Sequence, residues 1–299
     1  MKRPSHLCAL LTCFNRRDKT LDCLRALAAS TGLRDVQVHA VLVDDGSTDG
    51  TARAVAAEFP WVRVVRVDPA DGALFWCRGM HRAFAAAIET GFDHYLWLND
   101  DTMLAPDALA RLLATGAALR RRQGAAVIVV GSTVDAETGV VTYGGERRPS
   151  RWHPLRVERL QPLAVAQRCD SMTGNIVLIP ADVALRVGNI DPVFEHSMGD
   201  TDYALRAHRR GVQVWVDAGT HGTCSDNSPL GTWCDTTQPL RARWRDMMTR
   251  KGLPWRSWLV LTRRHAGPLW PIHFASPYVN VIAQGLFSQP FQPRRRGLR

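Results

Sequence analysis

The chain has 299 residues and 45% apolar content, enough for one large domain or two small ones with a core that needs no disulfides. No stretch approaches the roughly 20 apolar residues of a membrane-spanning helix, no secretory leader is legible, and seven scattered cysteines without a C-x-x-C pair argue against a disulfide framework or a zinc site and for a reduced cytosol. The net charge of +10 includes clusters at residues 120–122, 263–264 and 294–296, a distribution that fits an anionic membrane surface at least as well as nucleic acid.

Residues 7–12 (LCALLT) form a short apolar run suited to a buried parallel strand, ending in the polar turn Cys13-Phe14-Asn15-Arg16. Leu21, Leu24 and Ala28 recur at helical spacing within residues 18–29. Residues 38–43 (VHAVLV) are a second strand, stopped by the polar segment 44–50, where Ser47 or Thr48 is suited to cap the following helix over 52–58. A third strand spans 62–67, a helix 79–91, and a fourth strand 94–98 (HYLWL), which ends in Asn99-Asp100-Asp101. A helix over 106–119 and a fifth strand over 125–130 follow. Beyond about residue 140 the pattern is mixed, with strands at 140–144, 175–179 and 212–216 and helices at 181–187 and 202–210. Alternating strands and helices predict a parallel sheet covered on both faces, with its ligand site at the carboxyl ends of the strands. No Pro-, Gly- or Ser-rich linker cuts the chain. The expected organisation is a domain over 1–230, with halves 1–130 and 131–230, and a C-terminal extension over 231–299.

Three acidic groups occur in order: Asp44/Asp45, Asp100/Asp101 and Asp200/Asp202. Singly, each has an ordinary reading, a turn at Asp45-Gly46 and a first-turn helix charge at Asp202. Carboxylates gathered at one sheet edge are costly unless paired, solvated or bound to a cation, so together they point to a site.

The segment VLVDDGSTDGT (41–51) resembles the nucleotide-binding segment of the family 2 inverting glycosyltransferases, which have the GT-A fold. LWLNDDT (96–102) resembles their metal-binding DXD-type motif, TGNIVLIPADVALRVGNIDPVF (173–194) their acceptor-side segment, and GDTDYALRAHRRG (199–211) the stretch that holds the catalytic base. The resemblance covers residues 7–227 and implies a mixed, mostly parallel sheet flanked by helices. It implies that Thr12, Phe14 and Asn15 line the base and ribose pocket, that Asp44 meets the nucleobase with Asp45 nearby, and that Asn99 and Asp100 contact ribose or diphosphate. Asp101 would bind Mn2+ or Mg2+, His221 would add a second metal contact, and Asp200 would be the general base, its proton affinity raised by Asp202 if the two approach. A divalent cation on the diphosphate neutralises charge on the departing nucleotide, and oxygen ligands suit either metal. The family usually has Glu before the base, where this chain has Gly199.

The stretch 72–87 (GALFWCRGMHRAFAAA) replaces the family's Gly/Asn-rich loop with an aromatic pair, as in bacterial rhamnosyltransferase-like enzymes. Phe75 suits core packing, while Trp76 suits sugar stacking and Arg78 the diphosphate. The polar segment 219–235 is either a mobile closing loop or an ordered surface loop. Aromatic and basic residues alternate through 241–299, which predicts either packing on the catalytic domain or peripheral membrane contact. The expected partners are a nucleotide-diphosphate sugar (UDP or dTDP) and a glycan or polyprenyl-linked acceptor in surface polysaccharide synthesis, at the cytoplasmic face of the membrane. Two rivals are weaker. A sugar-nucleotide nucleotidyltransferase needs a Gly-rich phosphate loop after the first strand, absent from Cys13-Phe14-Asn15-Arg16. A nucleic-acid-binding protein needs a binding module that the sequence lacks.

Overall fold

The apolar run near the N-terminus becomes β1 (Ser5–Cys13), whose Leu7, Cys8, Ala9, Leu10 and Leu11 are wholly buried in the computed structural model. The structure describes residues 3–68, 73–226 and 228–287. After β1 come α1 (Arg17–Ala28), β2 (Val36–Asp44), α2 (Thr51–Glu58), β3 (Val62–Arg66), α3 (Phe75–Thr90), β4 (His94–Leu98), the short β5 (Met103–Leu104), α4 (Ala108–Gln123) and β6 (Val127–Val134). β4, β1, β2 and β3 lie side by side and run parallel. Parallel strands of this kind are buried on both faces, and α3 packs on β1 and β2 while α4 packs on β6. Leu7, Leu42, Leu96, Leu112, Val127 and Leu178 belong to one apolar core, in which each buried aliphatic side chain contributes roughly 1.5–3 kcal/mol.

The second half of the chain completes the sheet in a different sense. It contributes β7 (Val141–Tyr143), β8 (Gly145–Arg147), β9 (Glu158–Arg159), β10 (Gln167–Cys169), β11 (Ser171–Met172), β12 (Ile176–Pro180), α5 (Ala181–Val187), α6 (Gly199–Arg209) and β13 (Gln213–Thr223). β12 is inserted antiparallel between β4 and β6, and the sheet runs β10-β13-β6-β12-β4-β1-β2-β3. The sheet is therefore mixed and mostly parallel. β11, β8 and β9 form a separate three-stranded sheet.

Three local expectations are corrected. The cap of α2 is neither Ser47 nor Thr48. Asp49 Oδ1 accepts from Thr51 N–H at 3.0 Å and from its hydroxyl at 2.5 Å, while Gly50 takes a left-handed conformation at φ 84°. α3 begins at Phe75 rather than Gly79, because the Asp45 carboxylate accepts from the amides of Leu74 and Phe75. Residues 219–223 are strand, not loop, since β13 continues past Val216 along β6 and β5 through two register shifts.

Two compact units divide the chain, Met1–Asp226 and Asn227–Arg299. The second contains α7 (Leu240–Met247), α8 (Trp255–His265), a 3-10 turn at Gly267–Leu269 and α9 (Trp270–Phe287). The basic cluster at 294–296 lies outside the described residues, as does Gly72.

Gly222 sits where β13 meets β5, and a Cβ there would stand 2.2 Å from the Met103 carbonyl oxygen. A backbone oxygen in a strand ladder cannot give way. Gly222→Ala is expected to cost on the order of 2–4 kcal/mol in denaturant unfolding; an unchanged midpoint would show that β5 is free to move.

Candidate active site

The nucleotide side is assembled from the ends of β1 and β2. Asn15, at φ 50°, donates its amide to Ser47 Oγ at 2.9 Å, and its Oδ1 accepts from Thr48 N–H at 2.8 Å, so the two turns are tied together. Asp44 is wholly buried. Its Oδ1 accepts from Ser47 N–H at 2.8 Å, and its Oδ2 has no hydrogen-bond partner among the described residues. Burying a carboxylate oxygen without a donor is costly. Asp45 is spent on the start of α3, and burial raises its pKa against the two amides that it accepts from. Phe14 is 53% exposed beside these turns. Thr12 Oγ1 packs under α3, where a Cβ on Gly79 would lie 2.1 Å from it.

At the end of β4, Asn99 Oδ1 accepts from Trp76 Nε1–H at 2.7 Å. Trp76 also covers Gly174, where a Cβ would lie 2.3 Å from its ring. Asp100 is buried and Asp101 partly exposed. Arg16 bridges them, one guanidinium nitrogen 3.0 Å from Asp100 Oδ1 and the other 2.5 Å from Asp101 Oδ2. Burial pushes Asp100 up to about 7, with Arg16 opposing the rise.

Just past the end of β13, Cys224 lies beside Asp101, its Sγ 3.6 Å from Asp101 Oδ1. His221 is wholly buried and donates Nε2–H to Asp217 Oδ2 at 2.8 Å, while its Nδ1 has no partner among the described residues. Asp217 also accepts from the Thr115 hydroxyl at 2.8 Å. Cys224 was not singled out in the sequence because an isolated cysteine carries no spacing signal.

A cation at Asp101 fits this donor set in a limited way. No three His, Cys, Asp or Glu side chains converge on a common point among the described residues. Burial, and then the Asp101 charge, push Cys224 up to about 12, so the neutral thiol is a poor ligand. What remains is a carboxylate oxygen, which suits Mg2+ or Mn2+ completed by phosphate and water oxygens rather than Zn2+.

On the acceptor side, Asp200 lies in the first turn of α6. Its Oδ1 accepts from Thr201 N–H at 2.9 Å and its Oδ2 from Gly174 N–H at 3.1 Å. Burial raises its pKa and these amides oppose the rise. The expected influence of Asp202 is corrected: Asp202 is buried and ion-paired with Arg206 at 2.7 Å, and burial is what raises Asp200. Gly199 has no room for a side chain, since a Cβ would meet Cys77 Sγ at 2.8 Å. A second carboxylate arrives instead from Glu146 on β8, paired in register with Ser171. Burial, and then the charge of Asp200, push Glu146 up to about 7. Arg78 donates to the Pro192 carbonyl at 2.9 Å and pairs with Glu195 at 2.9 Å, so its charge is already neutralised.

Carboxylates from separate elements, gathered at strand ends and a helix start in one α/β sheet, form the layout in which such folds hold ligands. Residues 4–246 match the model of the glycosyltransferase like family 2, and the chain belongs to that family. Among solved structures it is similar to GalNAc-T7 with UDP, GalNAc and Mn2+, at 13% identity and TM-score 0.56, over 76% of this chain and 46% of that one. It is also similar to S. aureus TarS, at 12% identity and TM-score 0.51, over 86% of this chain and 42% of that one. For TarS 1–349 in complex with UDP, identity is 11% and TM-score 0.52, over 86% and 70% of the two chains. The chain thus spans less than half the length of GalNAc-T7 and of the longer TarS chain. These likenesses establish the GT-A fold. No curated protein matches by sequence.

Glu146 supplies a pH signature. Its folded pKa stands above its unfolded value of 4.5, so the native state binds the proton more tightly and its contribution to stability falls as pH rises from about 4.5 to about 7. Glu146→Gln removes that slope, on the order of 3 kcal/mol across the window. Unfolding free energies of both proteins at pH 4.5 and 7.5 test this; parallel pH profiles would contradict it.

Proposed function

We propose that this protein transfers a sugar, with inversion, from a UDP- or dTDP-sugar to a hydroxyl of a glycan or lipid-linked acceptor. One observation carries the reading. Asn99 N–H donates to the Asn175 carbonyl at 3.1 Å, and Gly174 N–H donates to Asp200 at 3.1 Å, so neighbouring residues of one short segment touch both the DXD-type turn and the proposed base. A diphosphate held at Asp101 and an acceptor hydroxyl held at Asp200 then meet over residues 174–175.

In this mechanism Asp44 Oδ2 accepts from a base N–H, filling its vacant lone pairs, and the exposed ring of Phe14 stacks on the base. Asn15 and the turn that it holds line the ribose, while Thr12 and Asp45 support this wall from beneath. Asn99 and Trp76 border the sugar. Asp101 holds a divalent cation, which supplies Lewis-acid neutralisation of the departing diphosphate. Asp217 engages only Nε2 of His221, so its unpartnered Nδ1 is the nitrogen left for the second metal contact. Asp200 takes the proton from the attacking hydroxyl, which adds to the sugar face opposite the leaving phosphate.

Asp200→Asn is expected to reduce transfer by roughly 10²–10⁴-fold while leaving nucleotide binding intact. In thermal unfolding, UDP or dTDP with Mn2+ stabilises the wild type, EDTA removes the stabilisation, and Asp101→Ala lacks it. Full transfer by Asp200→Asn removes the base assignment. A normal metal response in Asp101→Ala removes the ligand assignment.

The second unit supports a site of action at a membrane surface. α9 has no charged residue in its 18 positions and leaves Ile272, Val279 and Ile282 exposed, and Trp255 and Leu269 are exposed nearby in sequence. Arg256 and Arg263 lie over the rings of Trp255 and Trp270. No described helix is long and apolar enough to cross a membrane. Apolar side chains with flanking arginines suit the interface of an anionic bilayer, where a lipid-linked acceptor resides. Phosphatidylglycerol vesicles are expected to sediment the protein, phosphatidylcholine vesicles to do so weakly, and the Ile272→Asp, Val279→Asp double variant to stay in solution. Equal sedimentation of that variant rules out α9 as the contact.

A further inference from the structure

The guanidinium of Arg16 stands where the positive charge of a DXD-type site is needed. Its two terminal nitrogens reach two different carboxylates, Asp100 at 3.0 Å and Asp101 at 2.5 Å, rather than forking onto one. Asp101 Oδ2, the oxygen that Arg16 takes, belongs to the residue assigned to the cation. A divalent ion and a guanidinium on that oxygen repel each other: both are cations, and within about 4 Å their repulsion in a partly buried site is large. Loading the cation there therefore favours the departure of Arg16.

The local structure lets it leave. Arg16 precedes the first turn of α1 in a non-helical conformation, φ −136° and ψ 41°, and its side chain is 39% exposed. A cleft of about 580 Å³ opens on the same turn, lined by Asn15, Arg16, Arg17, Asp18, Lys19 and Asp49. Asn15, tied to Ser47 and Thr48, fixes the backbone from which the side chain swings.

We propose that Arg16 is an exchangeable counter-cation: it holds the Asp100–Asp101 pair in the nucleotide-free protein, yields Asp101 to the divalent ion when the donor arrives, and turns its guanidinium onto the diphosphate. Cation and nucleotide then bind as a unit, because each removes an obstacle to the other. Arg16 opposes the cation in the empty site and attracts the donor in the filled one, so its removal acts in opposite directions on the two ligands. A residue that merely braces the turn weakens both. The inference rests on the assignment of Asp101 as the cation ligand.

The test is a Mn2+ titration followed by the EPR signal of the free ion, on wild type, Arg16→Gln, Arg16→Lys and Asp101→Asn, without nucleotide and then with UDP or dTDP. Without nucleotide, Arg16→Gln is expected to bind Mn2+ roughly tenfold tighter than wild type, and with Mn2+ present to bind the nucleotide roughly tenfold more weakly. Arg16→Lys keeps the charge and stays close to wild type for Mn2+. Equal Mn2+ affinity in wild type and Arg16→Gln, weaker binding of both ligands, or no Mn2+ binding to either protein without nucleotide overturns the exchange. Loss of Mn2+ binding in Asp101→Asn with nucleotide present, alongside such a result, leaves the cation assignment standing. Unchanged Mn2+ binding in Asp101→Asn overturns that assignment and the exchange with it. Circular dichroism of each variant establishes that it is folded.

Discussion

The antiparallel pairing of β12 with β4 is the constraint from which the rest of the site follows. Ile176 pairs with Leu98 and Pro180 with His94, so β12 begins where β4 ends. A parallel partner would put its carboxyl end there. The antiparallel one puts its amino end there instead, and with it Gly174 and Asn175. Those residues bond Asn99 on one side and Asp200 on the other. The two halves of the chain thus share one sheet, and the carboxylates that they supply face a common edge.

That edge is electrostatically tense. Asp44, Asp100, Asp101, Asp200 and Glu146 lie near strand or helix ends with few cations among them. Burial raises the pKa of Asp100, Asp200 and Glu146. The structure relieves this in three ways. Backbone amides bond Asp45 and Asp200, Arg16 bridges Asp100 and Asp101, and Arg206 takes Asp202. What stays unrelieved, the buried Oδ2 of Asp44, is a feature to be expected of a site that completes itself with a ligand.

Much of this was legible from residue order. Apolar runs such as 7–12 and 38–43 mark buried parallel strands, and the acidic residues that stop them mark the carboxyl edge, because strand period and polarity are local properties. The resemblance at 41–51, 96–102 and 199–211 then indicated the family to which the chain belongs. Less legible were positions whose role depends on a distant partner. The N-cap of α2 is Gly50, with Asp49 before it bonding Thr51, while Ser47 is taken by Asn15 and Asp44. Arg78 is paired with Glu195, and Glu146, with no motif around it, comes to the acceptor side through its pairing with β11.

The sequence by itself determined the alternation of elements, the identity of the acidic residues and the edge on which the first two groups fall, since these depend on side-chain type and short spacing. Only the tertiary structure decided the direction of β12, the continuation of β13 beside β5 and the arginine that spans Asp100 and Asp101. Each is a contact between residues far apart in the chain or a choice among competing partners, and such choices are settled by packing and burial rather than by local pattern.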